Sequence, residues 1–372
     1  MTDFSVKFVS KKISKIRWRP KADVKSPPST SFITGSWDDQ ENTISVWRLQ
    51  DRISEDQDFG DATSLEHEPE KVFEMPHLGD VLDLKYLSSD TFAVASSTGD
   101  VSVLKHKPNT QTLANLHTWE QLHQFKTGDS APCTCLAPRG DDWIATGGED
   151  GKIVIIAVDQ RQAIQTIEKA DSCTINALTF LKHSELLTVN SYGQLKTFDL
   201  RQDLEKQAQI FSVTENHTPL LCLDKHPGQA HIVATGGEEG MLTIWDLRQD
   251  KFPMTLLEAH TGAMWEVKFH PYNPNHLFTC SDDGSLWHWD GSSFSSDAAA
   301  VIFCNIISLG NIVNITTELP WLSLETSKNK LDIASLLPNK SLPVNSLDIE
   351  SSTLLCGTDS ETIYSIQLPM LT

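Results

Sequence analysis

Short apolar runs broken by turn residues recur along the chain and read as strands. In residues 219–249, Pro-Leu-Leu-Cys-Leu-Asp gives way to a Lys-His-Pro-Gly turn. His-Ile-Val-Ala-Thr follows, then Glu-Glu-Gly, then Met-Leu-Thr-Ile-Trp-Asp. Glycine suits that second break, because a tight hairpin needs φ > 0 and glycine reaches it without steric cost. Apolar residues crowd both faces of these strands, as expected for sheets sandwiched between neighbouring sheets.

The pattern repeats. His226-Pro227 returns as His270-Pro271, Gly240 as Gly284, and Trp245-Asp246 as Trp289-Asp290, each 44 residues on. One step earlier, Gly193 maps to Gly240 and Asp199-Leu-Arg-Gln to Asp246-Leu-Arg-Gln, both 47 residues on. Gly147-Gly-Glu-Asp-Gly151 matches Gly236-Gly-Glu-Glu-Gly240 at 89 residues, close to two periods. Counting each hairpin with its following strand gives seven units: Asp38–Trp47, Thr98–Leu104, Glu149–Ile156, Ser191–Phe198, Glu238–Trp245, Asp282–Trp289 and Asp359–Ser365. The last has only three strands, near 343–349, 353–358 and 361–367, whereas the opening strand Phe4–Val9 has no unit of its own. That strand is expected to complete the last unit and remove a sheet edge. The 372 residues would otherwise suggest two or three domains. Stacked repeats instead share a continuous core, so 1–372 is read as one domain.

A period of roughly 40–45 residues with Trp-Asp endings, seen at Trp245-Asp246, Trp289-Asp290 and the weaker Phe198-Asp199, resembles the WD40 family. The resemblance implies an all-β, seven-bladed WD40 β-propeller closed by the N-terminal strand. It also implies, within a blade, a structural network of loop histidine, strand hydroxyl, turn aspartate and tryptophan. Blade six matches best, with His260, Ser281, Asp283 and Trp289, whereas blade five has Glu239 in place of the aspartate. These groups imply folding rather than activity.

A narrower resemblance rests on Lys7-Phe-Val-Ser-Lys-Lys-Ile-Ser-Lys-Ile-Arg-Trp-Arg-Pro20, Thr34-Gly-Ser-Trp-Asp38, Ala95-Ser-Ser-Thr-Gly99 and Leu187-Thr-Val-Asn-Ser191. Ala263-Met-Trp-Glu-Val267, Leu277-Phe-Thr-Cys-Ser281, Gly284-Ser-Leu-Trp-His-Trp-Asp290 and Cys356-Gly-Thr-Asp359 extend it over nearly the whole chain. Together they resemble the small WD-repeat nucleoporins of the Y-shaped outer-ring complex of the nuclear pore. That resemblance implies a scaffold at the nuclear envelope, docked on a helical-solenoid nucleoporin beside other members of the complex. It further implies support of mRNA and protein transport, and a kinetochore role in mitosis and chromosome segregation. The loops around 50–70 and 291–318 depart from the family pattern.

Charge narrows the partners. Thirty Lys and Arg against fifty Asp and Glu give a net charge of −20, which disfavours direct nucleic-acid binding and favours protein partners and solubility. The chain is not expected to be an obligate homo-oligomer. Seven cysteines include no CxxC pair, and Cys133-x-Cys135 is too close for a zinc knuckle; reduced, intracellular cysteines are the expectation. Lys7, Lys11, Lys12 and Lys15 interrupt any apolar signal core. Ala298–Ile315 carries too many Asn, Ser and Gly positions for a membrane helix, so no membrane insertion is expected.

Candidate chemistry is sparse. The glycine-rich hairpins lack the Gly-Lys-Ser/Thr ending of a phosphate loop, and the thirteen histidines include no His-Glu-x-x-His pair. No G-x-S-x-G elbow appears, so neither enzyme activity, cofactor nor metal is expected. Asn216-His-Thr218 and Asn314-Ile-Thr316 fit glycosylation acceptors only formally. Residues 50–70 hold eight acids against Arg52 and read as an acidic loop. Residues 291–340 read as an insertion between blades six and seven. Its Pro320-Trp-Leu-Ser-Leu324 either packs on the propeller or presents Trp321 for docking. Trp245-Asp-Leu-Arg248 and Phe198-Asp-Leu-Arg201 resemble the Trp-Asp-x-Arg box of substrate receptors for cullin-based ubiquitin ligases. Arg201 and Arg248 are therefore candidate interaction residues, and such a receptor is the rival function.

Overall fold

The computed structural model describes residues 4–21, 26–53, 65–201, 209–213, 217–249, 252–292, 321, 331–338 and 342–368, with the backbone alone at 51–53 and 65–67. Twenty-eight strands among them form seven four-stranded antiparallel sheets. Blade one runs through Ile13–Trp18, Ser31–Ser36, Asn42–Ile53 and Leu65–His77. Blade two follows with Val81–Tyr86, Thr91–Ser96, Val101–Lys107 and Thr112–Trp119. Cys133–Arg139, Trp143–Gly148, Ile153–Ala157 and Gln162–Ile167 make blade three, and Ile175–Lys182, Glu185–Asn190, Gln194–Asp199 and Gln209–Ser212 make blade four. Blade five comprises Leu220–Lys225, Ile232–Gly237, Met241–Asp246 and Thr255–Glu258; blade six, Met264–Phe269, His276–Ser281, Leu286–Asp290 and Asp332–Ser335.

Blade seven takes Val344–Glu350, Thr353–Thr358 and Thr362–Gln367 from the end of the chain and Phe4–Phe8 from its start. Phe4 pairs with Ile366 and Phe8 with Thr362, so the opening strand closes the ring, as the three-stranded last repeat predicts. The first strand of each blade touches the first strands of both neighbours, and these seven line a central channel. The apolar core is divided accordingly. Seven clusters of buried residues lie one to each interface between blades, including the seam where Ile13, Ile16 and Trp18 meet Leu355 and Ile363.

The acidic stretch is narrower than a loop over 50–70. Strands Asn42–Ile53 and Leu65–His77 stay paired up to Ile53 opposite Leu65, because the register of a long hairpin carries polar residues along once its inner part is fixed. Residues 54–64 lie outside the described residues. Within the stretch 291–340, Asp332–Ser335 is blade six's outer strand, paired with Trp287–Asp290. Among the described residues no helix is long and apolar enough to cross a membrane.

Intrablade networks, candidate interaction residues and the channel

Blade six joins its two outermost sequence signals through one hydroxyl. Thr279 Oγ1 accepts from Trp289 Nε1 at 3.0 Å and lies 2.7 Å from His260 Nε2. His260 Nδ1 lies 2.7 Å from Ser285 Oγ, which donates to Asp283. Asp283 also accepts the backbone N–H groups of Thr261 at 3.0 Å and Ser285 at 2.9 Å. Burial works to raise the Asp283 pKa, but these hydrogen bonds and the neighbouring His260 hold it below the usual carboxylate range. Ser281 is not the hydroxyl that links histidine to tryptophan. Its Oγ donates to Gly262 O at 3.1 Å and accepts from Asp283 N at 3.1 Å, so it fastens the turn instead.

The same logic recurs with substitutions. In blade three, His123 bridges Thr146 Oγ1 at 2.8 Å and Asp150 Oδ1 at 2.9 Å, a triad the sequence reading missed. Its signal was a histidine 23 residues before a strand threonine, masked by the absence of a Trp-Asp ending. Blades one and five keep the tryptophan-to-threonine bond, Trp47 to Thr34 and Trp245 to Thr235, both at 2.9 Å. Glu239 is exposed at the tip of blade five. Each of these buried N–H groups thereby keeps a partner, without which it would cost about 1–3 kcal/mol.

The candidate arginines turn back on their own strands. Arg248 makes a two-pronged contact with Asp246, Nε to Oδ1 at 2.9 Å and Nη2 to Oδ2 at 2.7 Å. Arg201 does the same to Asp199 at 2.9 and 2.8 Å. The hydrogen bonds from Arg248 lower the Asp246 pKa. Asp290 accepts from Ser292 N at 2.8 Å and lies 3.4 Å from His276 Nδ1. Trp321 is not a docking residue in this fold: it is 1% exposed and inserted between blades five and six. Its Nε1 donates to Pro274 O at 3.0 Å, its carbonyl accepts from Thr255 Oγ1 at 2.9 Å, and its ring meets Phe269 edge-on. A tryptophan is buried there because its large apolar ring and single N–H are both satisfied.

The channel wall is charged and largely self-neutralising. Arg17 reaches across the ring to Glu266, Nη2 to Oε1 at 2.5 Å, and lies 3.6 Å from Asp83. Lys15 lies 3.3 Å from the same Glu266 oxygen, and Lys268 donates to Asp348. Burial works to raise Glu266, yet the Arg17 and Lys15 charges hold its pKa far below the ordinary value. The carboxylates also latch blades together. Asp83 accepts Leu136 N at 2.9 Å, Glu266 accepts Leu347 N at 2.8 Å, and Asp348 accepts Trp18 N at 2.7 Å. Asp224 accepts Phe269 N at 2.8 Å, and burial pushes its pKa up to about 6. Cys133, Cys135, Cys222, Cys280 and Cys356 are free and buried, and burial raises each thiol; Cys304 lies outside the described residues. Among the described residues no three His, Cys, Asp or Glu side chains come together as a metal site.

Fold, networks and latched channel define a WD-repeat β-propeller. Residues 251–290 match the WD domain, G-beta repeat family. The chain is 45% identical to Nucleoporin Nup43 of Mus musculus over 379 residues and to that of Homo sapiens over 380, covering 98% of this chain and of each relative. Nuclear pore complex protein nup43 of Dictyostelium discoideum is 25% identical over 223 residues, 59% of this chain and 49% of that one. The chain belongs to the Nup43 family of WD-repeat nucleoporins.

Proposed function

We propose that this chain is a scaffold subunit of the Y-shaped outer-ring subcomplex, docked on a helical-solenoid nucleoporin. In that place it supports pore assembly and the transport of mRNA and protein, and it acts at kinetochores during mitosis and chromosome segregation. The observation that carries the reading is likeness to the mammalian Nup43 proteins across 98% of both chains. The engagement of His123, Thr146 and Asp150 and of His260, Thr279 and Asp283 in blade networks supports a structural role. The test is a chromosomal tag followed by purification from interphase cells and imaging through mitosis. Recovery of outer-ring nucleoporins, rim staining and mitotic kinetochore foci are the expected result. Recovery of a ligase adaptor without nucleoporins overturns it in favour of a ubiquitin-ligase substrate receptor. Against that rival stands the two-pronged engagement of Arg201 and Arg248 by their own aspartates.

A further inference from the structure

One end of the channel differs from the other in charge. The seven hairpins joining second to third strands, residues 37–41, 97–100, 149–152, 191–193, 238–240, 282–285 and 359–361, carry twelve carboxylates and one lysine. In sequence, the seven connections between first and second strands carry four acids and three Lys or Arg. Opposed charges nearly cancel there, whereas the hairpins carry an excess of negative charge that favours cations, although Lys12 pairs with Asp38. Glu149, Glu238, Glu239 and Asp282 on that face are exposed.

At its centre a cavity of about 220 Å³ is lined by Trp37, Trp265, Val81, Asn345, Glu149 and Lys15, among others. The two indoles meet nearly perpendicular with ring centres 6.4 Å apart. Asn345 is 4% exposed. Its Nδ2 donates to Ile13 O at 2.9 Å and to Asp359 Oδ1 at 2.7 Å, which fixes the amide orientation. Asn345 lines the cavity, and its amide oxygen, covered by the surrounding atoms, has no hydrogen-bond partner. A buried acceptor without a donor is uncommon and marks a place that a donor would stabilise. Lys15 is drawn away by Glu266, 3.3 Å from its ammonium. Trp37 Nε1 is held by Asp359 at 2.9 Å, so that indole is fixed in place.

We propose that this mouth is a docking site for an extended basic segment of a partner protein, with one Arg side chain entering beside Trp37 and Trp265. The side chain's charge faces Glu149, its stem and cation lie against the indoles, and a small shift of the Asn345 side chain brings its unpaired oxygen onto the N–H groups. The acidic hairpins hold flanking basic residues and speed encounter. A nucleic-acid backbone is repelled by the same field. This inference does not depend on the pore assignment.

The experiment uses the full chain and two fluorescein-labelled Gly-Ser peptides with lysines at both flanks. One carries a central arginine; the other carries citrulline, its neutral isostere. The arginine peptide is expected to bind about tenfold more tightly, the scale of one desolvated cation–π contact or charged hydrogen bond. Glu149→Gln and Trp265→Leu, each checked for folding by circular dichroism, are expected to erase that preference. Glu238→Gln with Glu239→Gln is expected to weaken both peptides equally and flatten the salt dependence. Equal binding of the two peptides by the native chain overturns the proposal, as does a preference that survives Glu149→Gln. Failure of the arginine peptide to bind at low salt overturns it as well.

Discussion

Ile13 lies over Gly357 so closely that a Cβ on the glycine would come within 2.3 Å of Ile13 Cγ2. Ile13 opens the innermost strand of blade one, and Gly357 sits on the second strand of blade seven. The same relation recurs as Val81 over Gly35, Ile175 over Gly147 and Met264 over Gly236, with closest approaches of 2.3, 2.9 and 2.4 Å. Each large apolar side chain thus seats in the gap left by a missing side chain on the preceding blade. The ring closes by repeating one packing step.

That seat predicts a stability defect at the seam. Gly357→Val is expected to destabilise by about 1–3 kcal/mol or more, the usual cost of forcing extra carbon into a packed core. Gly228→Ala is the control, since the nearest atoms to its Cβ lie 3.6 and 3.8 Å away on His226. Urea denaturation of both variants measures the difference. Equal midpoints for Gly357→Val and the native chain would show that the seam yields without cost.

The blade-six network yields a prediction that separates two residues two positions apart. Thr279→Val keeps the shape but strips the hydroxyl from both Trp289 and His260, and is expected to cost about 1–3 kcal/mol as buried N–H and ring nitrogen lose their partner. Ser281→Ala removes turn contacts only and is expected to cost less than about 1 kcal/mol. Trp289→Ala sets the upper scale, roughly 3–5 kcal/mol for a buried aromatic. A larger loss for Ser281→Ala than for Thr279→Val in thermal melting would reverse these roles.

What the sequence discloses divides along a physical line. Trp289-Asp290, the 44-residue recurrence and the unpartnered opening strand are local patterns or counts, and they suffice for seven blades and their closure. The choice between Thr279 and Ser281 depends on register, with Thr279 opposite Trp287, and a motif that names only a hydroxyl cannot resolve it. Arg17 and Glu266 lie 249 residues apart and meet only because the ring closes. Trp321 belongs to no repeat, so its burial against Phe269 follows from tertiary packing alone.

Acidification is expected to weaken the fold through buried histidines. His276 Nδ1 lies 3.0 Å from His288 Nε2, and His288 stacks on Phe278 with ring centres 4.7 Å apart. Burial pushes His288 down from 6.5 to about 4, with the His276 ring adding to the shift against a smaller opposing pull from Asp290. Burial lowers His276 as well. With a folded value below the unfolded one, the native state binds fewer protons. For His288 the stabilisation is complete above about pH 6.5 and falls between 6.5 and 4, by up to about 1.4 kcal/mol per pH unit; His276 acts in the same direction. Asp224, raised to about 6, contributes the opposite sign over roughly 6 to 3.9. The discriminating comparison is therefore native chain against His288→Phe, in urea at several pH values across this window. The variant is expected to lose close to one proton's worth of slope. An unchanged slope would mean that His288 titrates in the folded chain as it does unfolded.

The paired arginines decide between the two interaction readings. Arg248 and Arg201 side chains are 61% and 69% exposed, yet each guanidinium spends its fork on its own Asp246 or Asp199. The Arg201–Asp199 pair is partly exposed and contributes little, so Arg201→Ala is expected to leave the melting temperature nearly unchanged. The Asp246 side chain is buried, and Arg248→Ala is expected to lower the melting temperature. An arginine already held by a neighbouring carboxylate must give up that contact to anchor a partner, which makes it a poor primary anchor beside desolvated aromatic residues. The double variant Arg201→Ala/Arg248→Ala is therefore expected to retain co-purification with nucleoporins and staining at the nuclear rim. Both are measured in cells carrying the variant at the native locus, with folding checked on purified protein. Loss of rim staining in a folded variant would make these arginines the docking anchors. If the native chain brings down a ligase adaptor and the variant does not, the arginines serve the ubiquitin-ligase reading and the scaffold proposal fails.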